Sequence, residues 1–285
     1  MSDQWQDYPV QEHTVHGTVR VLPELYSPQL DNARSILVYL PSGYEPGEDR
    51  YPVLYMHDGQ NLFDAYTSFA GEWHVDETLL RLETEGIKAI VVGIPNGGSE
   101  RVNEYSPFRD PRHGGGKGDR YLDFLADTLK PRIDADFRTL PGRDHTGLMG
   151  SSMGGLISLY GYFYRPETFG FAGAMSPAFW FAQRAIFPYT LRQRYIPGRI
   201  YLDAGTAEIP RRFGRILPKH VGQPVCADAQ RMLAILSRLG FEARRELNYV
   251  EGIGAAHNET AWSQRLPNAL RFLLGPLRDG YSTYD

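Results

Sequence analysis

The chain has 285 residues, 42% of them hydrophobic, enough for the core of one large α/β domain spanning residues 1–285. A formal net charge of −4 without a basic tract argues against nucleic acid or a membrane surface as partner. With Cys226 as the sole cysteine, the chain forms no internal disulfide and no cysteine-rich metal site.

The opening residues, Met1-Ser2-Asp3-Gln4-Trp5, lack both the basic and the apolar parts of a secretory leader, and no apolar run reaches the roughly 18 residues of a membrane span. A cytoplasmic location is the expectation. Residues 16–20 and 35–40 read as strands, separated by a proline-rich turn over 22–28, and form an antiparallel edge. Residues 52–56 form the next strand, apolar throughout as in the middle of a helix-covered sheet. It empties into His57-Asp58-Gly59-Gln60-Asn61. A helix over 75–85 and an apolar strand over 89–94 follow, then a loop carrying Arg101, Glu104 and Tyr105. That loop leaves the carboxyl end of a strand, where open α/β sheets bind ligands. Arg101 and Tyr105 are therefore candidate substrate contacts, with an internal Arg101–Glu104 ion pair as the structural alternative.

Gly114-Gly115-Gly116-Lys117-Gly118 does not have the spacing of a phosphate loop, and residues 109–120 read as a flexible linker or lid. An amphipathic helix over 121–137 is expected to kink or break at Pro131. Beyond residue 145, strands over 171–175, 199–203 and 241–250 alternate with helices over 227–239 and 260–274. The basic cluster of Arg211, Arg212, Arg215 and Lys219 reads as solvated surface, or else as an anion-contacting loop. Trp180 follows a strand end and is a candidate pocket residue. The alternation implies a mostly parallel central sheet with an antiparallel N-terminal edge and helices on both faces. Right-handed crossovers then gather the loops at one edge.

The chemistry centres on Gly150-Ser151-Ser152-Met153-Gly154. A strand runs into Gly-x-Ser-x-Gly and a helix runs out, the order a nucleophile elbow requires. Gly150 and Gly154 leave room for the corner, and Ser152 stands above the sheet with the helix N-terminus beneath it. A serine hydroxyl needs a base, and the base needs an acid to fix its tautomer. His257 supplies the base from a Gly/Ala-rich loop after the last strand. Asp203 and Glu208 are equal candidates for the acid: one ends a strand, the other has the longer reach. The backbone N–H of Met153, with that of Gln60 or of Gly59, is the candidate oxyanion hole.

The segment Leu54 through Asp64, residues 101–107, the Gly150–Gly155 elbow, Met175-Ser176-Pro177, residues 201–208 and His257 together resemble the "Putative esterase" family of α/β-hydrolases. That family includes enterochelin esterase, feruloyl and acetyl-xylan esterases, esterase D and the mycolyltransferases. The resemblance implies the α/β-hydrolase fold, Ser152 as nucleophile and His257 as base. It favours Glu208 as acid, because Gly205-Thr206-Ala207-Glu208 matches the family's Gly-Thr-x-Asp/Glu. It also implies an acyl-serine route with a small-molecule ester as partner and no metal or organic cofactor. Acyl transfer to an alcohol, carbohydrate or siderophore esterase activity, and a catalytically dead binding protein are the competing expectations.

Overall fold

The computed structural model describes residues 4–9, 13–208 and 223–276. The basic cluster at 211–215 and 219 lies outside the described residues.

Among the described residues nine strands form one sheet: β1 (Gln6–Asp7), β2 (Thr18–Ser27), β3 (Asn32–Leu40), β4 (Val53–His57), β5 (Ile90–Ile94), β6 (Thr146–Ser151), β7 (Phe171–Met175), β8 (Arg199–Gly205) and β9 (Leu247–Gly252). Their order is β1-β2-β3-β5-β4-β6-β7-β8-β9. The first three strands and the β3–β5 pair are antiparallel, and every later pair is parallel. The N-terminal antiparallel edge expected from the sequence is therefore present.

The helices are α1 (Val75–Glu83), α2 (Arg101–Glu104), α3 (Gly118–Phe124), α4 (Lys130–Asp136), α5 (Met153–Tyr164), α6 (Phe181–Arg184), α7 (Ile186–Thr190), α8 (Gln223–Leu239) and α9 (Glu259–Leu274). Strand periodicity sorts the core into two layers. Val53 and Tyr55 of β4 face one layer, with Leu122, Leu156, Phe187 and Leu236 from α3, α5, α7 and α8. Leu54 and Met56 face the other, with Leu79 from α1 and Leu266 from α9. Helix α5 is buried at every position from Met153 to Phe163, so it is apolar all round rather than amphipathic. It presses close to β6 because Gly161 has no side chain: a Cβ there would lie 2.5 Å from Leu148 Cδ1.

Four expectations change. Residues 22–27 are strand, not turn, because a bulge between Leu22 and Leu25 absorbs Pro23, whose carbonyl accepts from Ser35 Oγ at 2.7 Å. The last strand is only Leu247–Gly252. Pro131 does not break its helix; a π-helical turn, Leu125–Leu129, joins α3 to α4 just ahead of it. The glycine-rich stretch is pinned rather than a free linker. Gly116 and Gly118 N–H both donate to Ser106 O (2.8 and 3.1 Å), Gly115 N–H donates to Asn103 Oδ1 (2.9 Å), and Lys117 pairs with Glu100 at 2.7 Å. Its glycines are needed for positive φ, at 86°, 95° and 98° for residues 114–116.

Candidate active site

Ser152 stands at the corner between β6 and α5, with φ 55° and ψ −118°, a conformation that L-residues rarely adopt. Its backbone is tied on three sides. Its N–H donates to Met175 O (3.0 Å), and its carbonyl accepts from Leu156 and Ala178 N–H (3.1 and 2.9 Å). The hydroxyl makes no hydrogen bond to His257 or to any other described residue. The two motif glycines serve close packing: a Cβ on Gly150 would come within 3.0 Å of both Gly154 C and His57 Cδ2, and one on Gly154 within 3.3 Å of His57 Cβ. The end of β4 therefore lies directly against the elbow.

That contact carries the next loop toward Ser152. Asp58 adopts the left-handed conformation (φ 56°) and starts a 3-10 turn, Gly59–Asn61. Met153 opens α5 and Gln60 lies inside this turn; the first N–H groups of a helix have no acceptor within it. Both candidate oxyanion donors thus sit in the first turn of a helical segment. Gly59 is pressed onto β5, where a Cβ would meet Gly93 C and Ile94 N at 2.6 Å.

Of the two acids, Glu208 reaches His257, with Oε2 3.1 Å from Nδ1, and it is wholly buried. Asp203 is equally buried but turned to Arg265 Nε at 2.9 Å; burial pushes its carboxyl upward against the pull of that guanidinium. The loops carrying Glu208 and His257 interlock. Thr206 N–H donates to Gly252 O, Ala207 N–H to Ala255 O, and Gly254 N–H to Thr206 Oγ1 (2.9, 3.0 and 2.8 Å). Asn258 caps α9 by accepting from Ala261 N–H at 2.9 Å, which fixes the residue beside His257. The Trp262 ring meets the imidazole edge-on at 5.0 Å.

The sequence-expected substrate contacts divide. Trp180 is 39% exposed. Tyr105 is fully buried, and its hydroxyl accepts from the Asp58 N–H at 3.0 Å, so it supports the loop from below instead of touching a ligand. Arg101 does not pair with Glu104. It holds both oxygens of Asp58 at 2.7 Å, while Glu104 forms a buried two-pronged pair with Arg34 at 2.7 and 2.9 Å. His57 is buried, and its Nδ1 faces the Tyr121 hydroxyl at 2.9 Å. Cys226 is half-buried on α8, where Sγ donates to Gly205 O at 3.3 Å. Ser176, Trp262 and Arg265 also belong to this region. Ser176 shows in the sequence within Met175-Ser176-Pro177 at a strand end, without a role of its own; the one signal for Trp262 is its place in the first turn after His257.

A largely parallel sheet, covered on both sides and turning from β6 into α5 through a strained serine, is the α/β-hydrolase fold. Residues 27–273 match the family model described as "Putative esterase", and the chain belongs to that family, among carboxylic ester hydrolases. It is similar to the uncharacterized protein YbbA of Bacillus subtilis, at 24% identity over 251 residues, 86% of this chain and 94% of that one. It is 27% identical over 201 residues to the siderophore enterobactin esterase of Emericella nidulans, covering 62% of each. Among solved structures, the IroE-like serine hydrolase from Shewanella oneidensis superposes with a TM-score of 0.69 at 21% identity, over 95% of this chain and 80% of that one. No helix among the described residues is long and apolar enough to cross a membrane.

Proposed function

We propose that this protein hydrolyses small-molecule carboxylic esters through an acyl-serine intermediate, with Ser152 as nucleophile, His257 as base and Glu208 as acid. The observation that carries the reading is the buried Glu208 carboxylate 3.1 Å from His257 Nδ1, on loops at the same sheet edge as the strained Ser152. A carboxylate on Nδ1 holds that nitrogen protonated and leaves Nε2 free to take a proton.

Ser152 Oγ attacks the ester carbonyl while His257 Nε2 accepts its proton. The tetrahedral oxyanion is held by the N–H groups of Met153 and Gln60, aided by the positive end of α5. His257 returns the proton to the departing alcohol as the C–O bond breaks. Water then attacks the acyl-serine, giving its proton to His257. Collapse releases the carboxylic acid and restores Ser152. Every proton in this cycle is carried by the chain's own groups and water. Relatives named as an enterobactin esterase and a serine hydrolase support both the ester class and the serine chemistry.

The test is direct. The wild-type protein should hydrolyse p-nitrophenyl acetate and label with a fluorophosphonate at Ser152. Ser152→Ala should abolish both. Retention of wild-type hydrolysis by that variant would overturn the reading.

A further inference from the structure

We infer that Ser176 is a positioning residue for the Glu208–His257 pair, holding one carboxylate oxygen so that the other faces the imidazole. The inference rests on the catalytic assignment proposed above.

The hydroxyl of Ser176 is wholly buried and has three polar partners. Trp262 Nε1 and Arg265 Nη2 each lie 2.9 Å from Oγ, and Oγ also meets Glu208 Oε1. Chemistry fixes the direction of each bond. Indole and guanidinium nitrogens only donate, so both direct their hydrogens at Oγ. The single hydroxyl proton is then committed to the carboxylate. Glu208 Oε1 takes a second donor, the Gly205 N–H at 2.6 Å, and Arg265 Nη2 stands 3.6 Å away. With Oε1 occupied on these sides, Oε2 is the oxygen presented to His257.

The backbone supports the same reading. Ser176 has φ 43°, in the left-handed region that disfavours residues with a Cβ. Its N–H donates to Asp203, to the carbonyl and to Oδ1, both at 3.0 Å. Asp203 is in turn gripped by Arg265 through Nε at 2.9 Å and Nη2 at 3.2 Å. The strained residue is thus anchored from the neighbouring strand, and its side chain is delivered to the acid. Backbone strain kept in place by several neighbours is a mark of functional sites. Trp262 adds a second link, since the same indole that donates to Ser176 packs edge-on against the His257 ring.

Ser176 touches no substrate, so its loss should act on turnover and not on binding. In the proposed cycle Glu208 acts on the imidazolium formed when His257 takes the Ser152 proton. Removing the hydroxyl should lower kcat about tenfold, the scale of one hydrogen bond to a charged group, with KM unchanged.

The experiment compares Ser176→Ala with Ser176→Gly by steady-state kinetics on p-nitrophenyl acetate, alongside thermal unfolding. Both variants lack the hydroxyl. Only glycine relaxes the positive φ, so Ser176→Gly should unfold at the higher temperature. The inference expects the two to lose kcat alike despite this difference in stability. It is overturned if Ser176→Gly keeps kcat within twofold of wild type, or if kcat follows the unfolding temperature across the pair. Ser152→Ala is run in parallel. If that variant stays active, the catalytic assignment itself falls; if it is inactive while Ser176→Gly turns over normally, only the role of Ser176 falls.

Discussion

Arg101 closes on Asp58 with two parallel contacts, Nε to Oδ1 and Nη2 to Oδ2, both at 2.7 Å. Burial alone would raise the Asp58 carboxyl, but the guanidinium and the Asn96 amide outweigh it and hold the group below its usual range. Asp58 precedes the turn that carries the candidate oxyanion donor, so the pair braces that turn. Arg101→Met leaves a carboxylate with little access to water and no counter-ion. The expected cost is about 3 kcal/mol, the scale seen when one partner of a buried pair is removed. The urea midpoint should fall accordingly, and Asp58→Asn in the same chain should recover part of the loss. A midpoint unmoved by Arg101→Met would show that the pair is not stabilising.

The same turn gives a sharper test of placement. A methyl on Gly59 would lie 2.6 Å from the Gly93 carbonyl carbon and the Ile94 nitrogen, both backbone atoms that cannot step aside. Gly59→Ala must therefore push the turn away from β5, and Gln60 N–H moves with it. Displacement of a catalytic group by about 1 Å costs on the order of 10²-fold in rate. We expect kcat to fall by that factor, with the fluorophosphonate still reaching Ser152, since the elbow is not disturbed. Near-normal turnover would remove Gln60 from the oxyanion hole.

His57 sets a limit on acid stability. Burial lowers its pKa from 6.5 to about 3, and its Nε2 has no partner among the described residues. The folded form therefore keeps the imidazole neutral where the unfolded chain would protonate it. Between pH 6.5 and 3 the unfolded state binds the extra proton, so this contribution is complete above pH 6.5 and is lost as pH falls through the window. The slope from this one group approaches about 1.4 kcal/mol per pH unit. His57→Gln should flatten the fall in stability between pH 6.5 and 4, whatever its cost at pH 7. An unchanged slope by urea titration would assign the acid sensitivity elsewhere.

The sheet and the strand-to-helix corner at Ser152 are legible in the sequence because they rest on local signals: fully apolar strands, two motif glycines and a helix start. For the candidate acid, position alone leaves Asp203 and Glu208 equal; the Gly205-Thr206-Ala207-Glu208 pattern favours Glu208, and Glu208 is the carboxylate that the interlocked loops bring to His257. The Arg101–Glu104 pair considered from the sequence does not form. Glu104 is taken by Arg34, 70 positions away, leaving Asp58 as the partner of Arg101. Residues 22–27 were misread because proline signals a turn locally, whereas the bulge that accommodates Pro23 belongs to the pairing with β3. Ser176 shows in the sequence only as part of Met175-Ser176-Pro177, because its importance lies in which three groups surround its hydroxyl.

Tyr105 and Trp180 entered as equivalent candidates for substrate contact, and their environments now separate them. The Tyr105 hydroxyl accepts from the Asp58 N–H in a site with no access to solvent. Tyr105→Phe should lower stability by about 1 kcal/mol, the net worth of one hydrogen bond, and leave KM alone for every ester. Trp180 keeps 39% of its surface exposed and contacts Phe181 ring to ring at 6.1 Å. Trp180→Ala should scarcely move the unfolding temperature. If the indole contacts the acyl or alcohol group, KM for a naphthyl ester should rise about fivefold, an aromatic contact being worth roughly 1 kcal/mol, with little change for p-nitrophenyl acetate. Equal KM values for wild type and Trp180→Ala on both esters would place the binding surface away from this residue. A rise in KM with Tyr105→Phe would mean that the loop above it moves far enough to admit substrate, contrary to the packing of Tyr105 against Asp58.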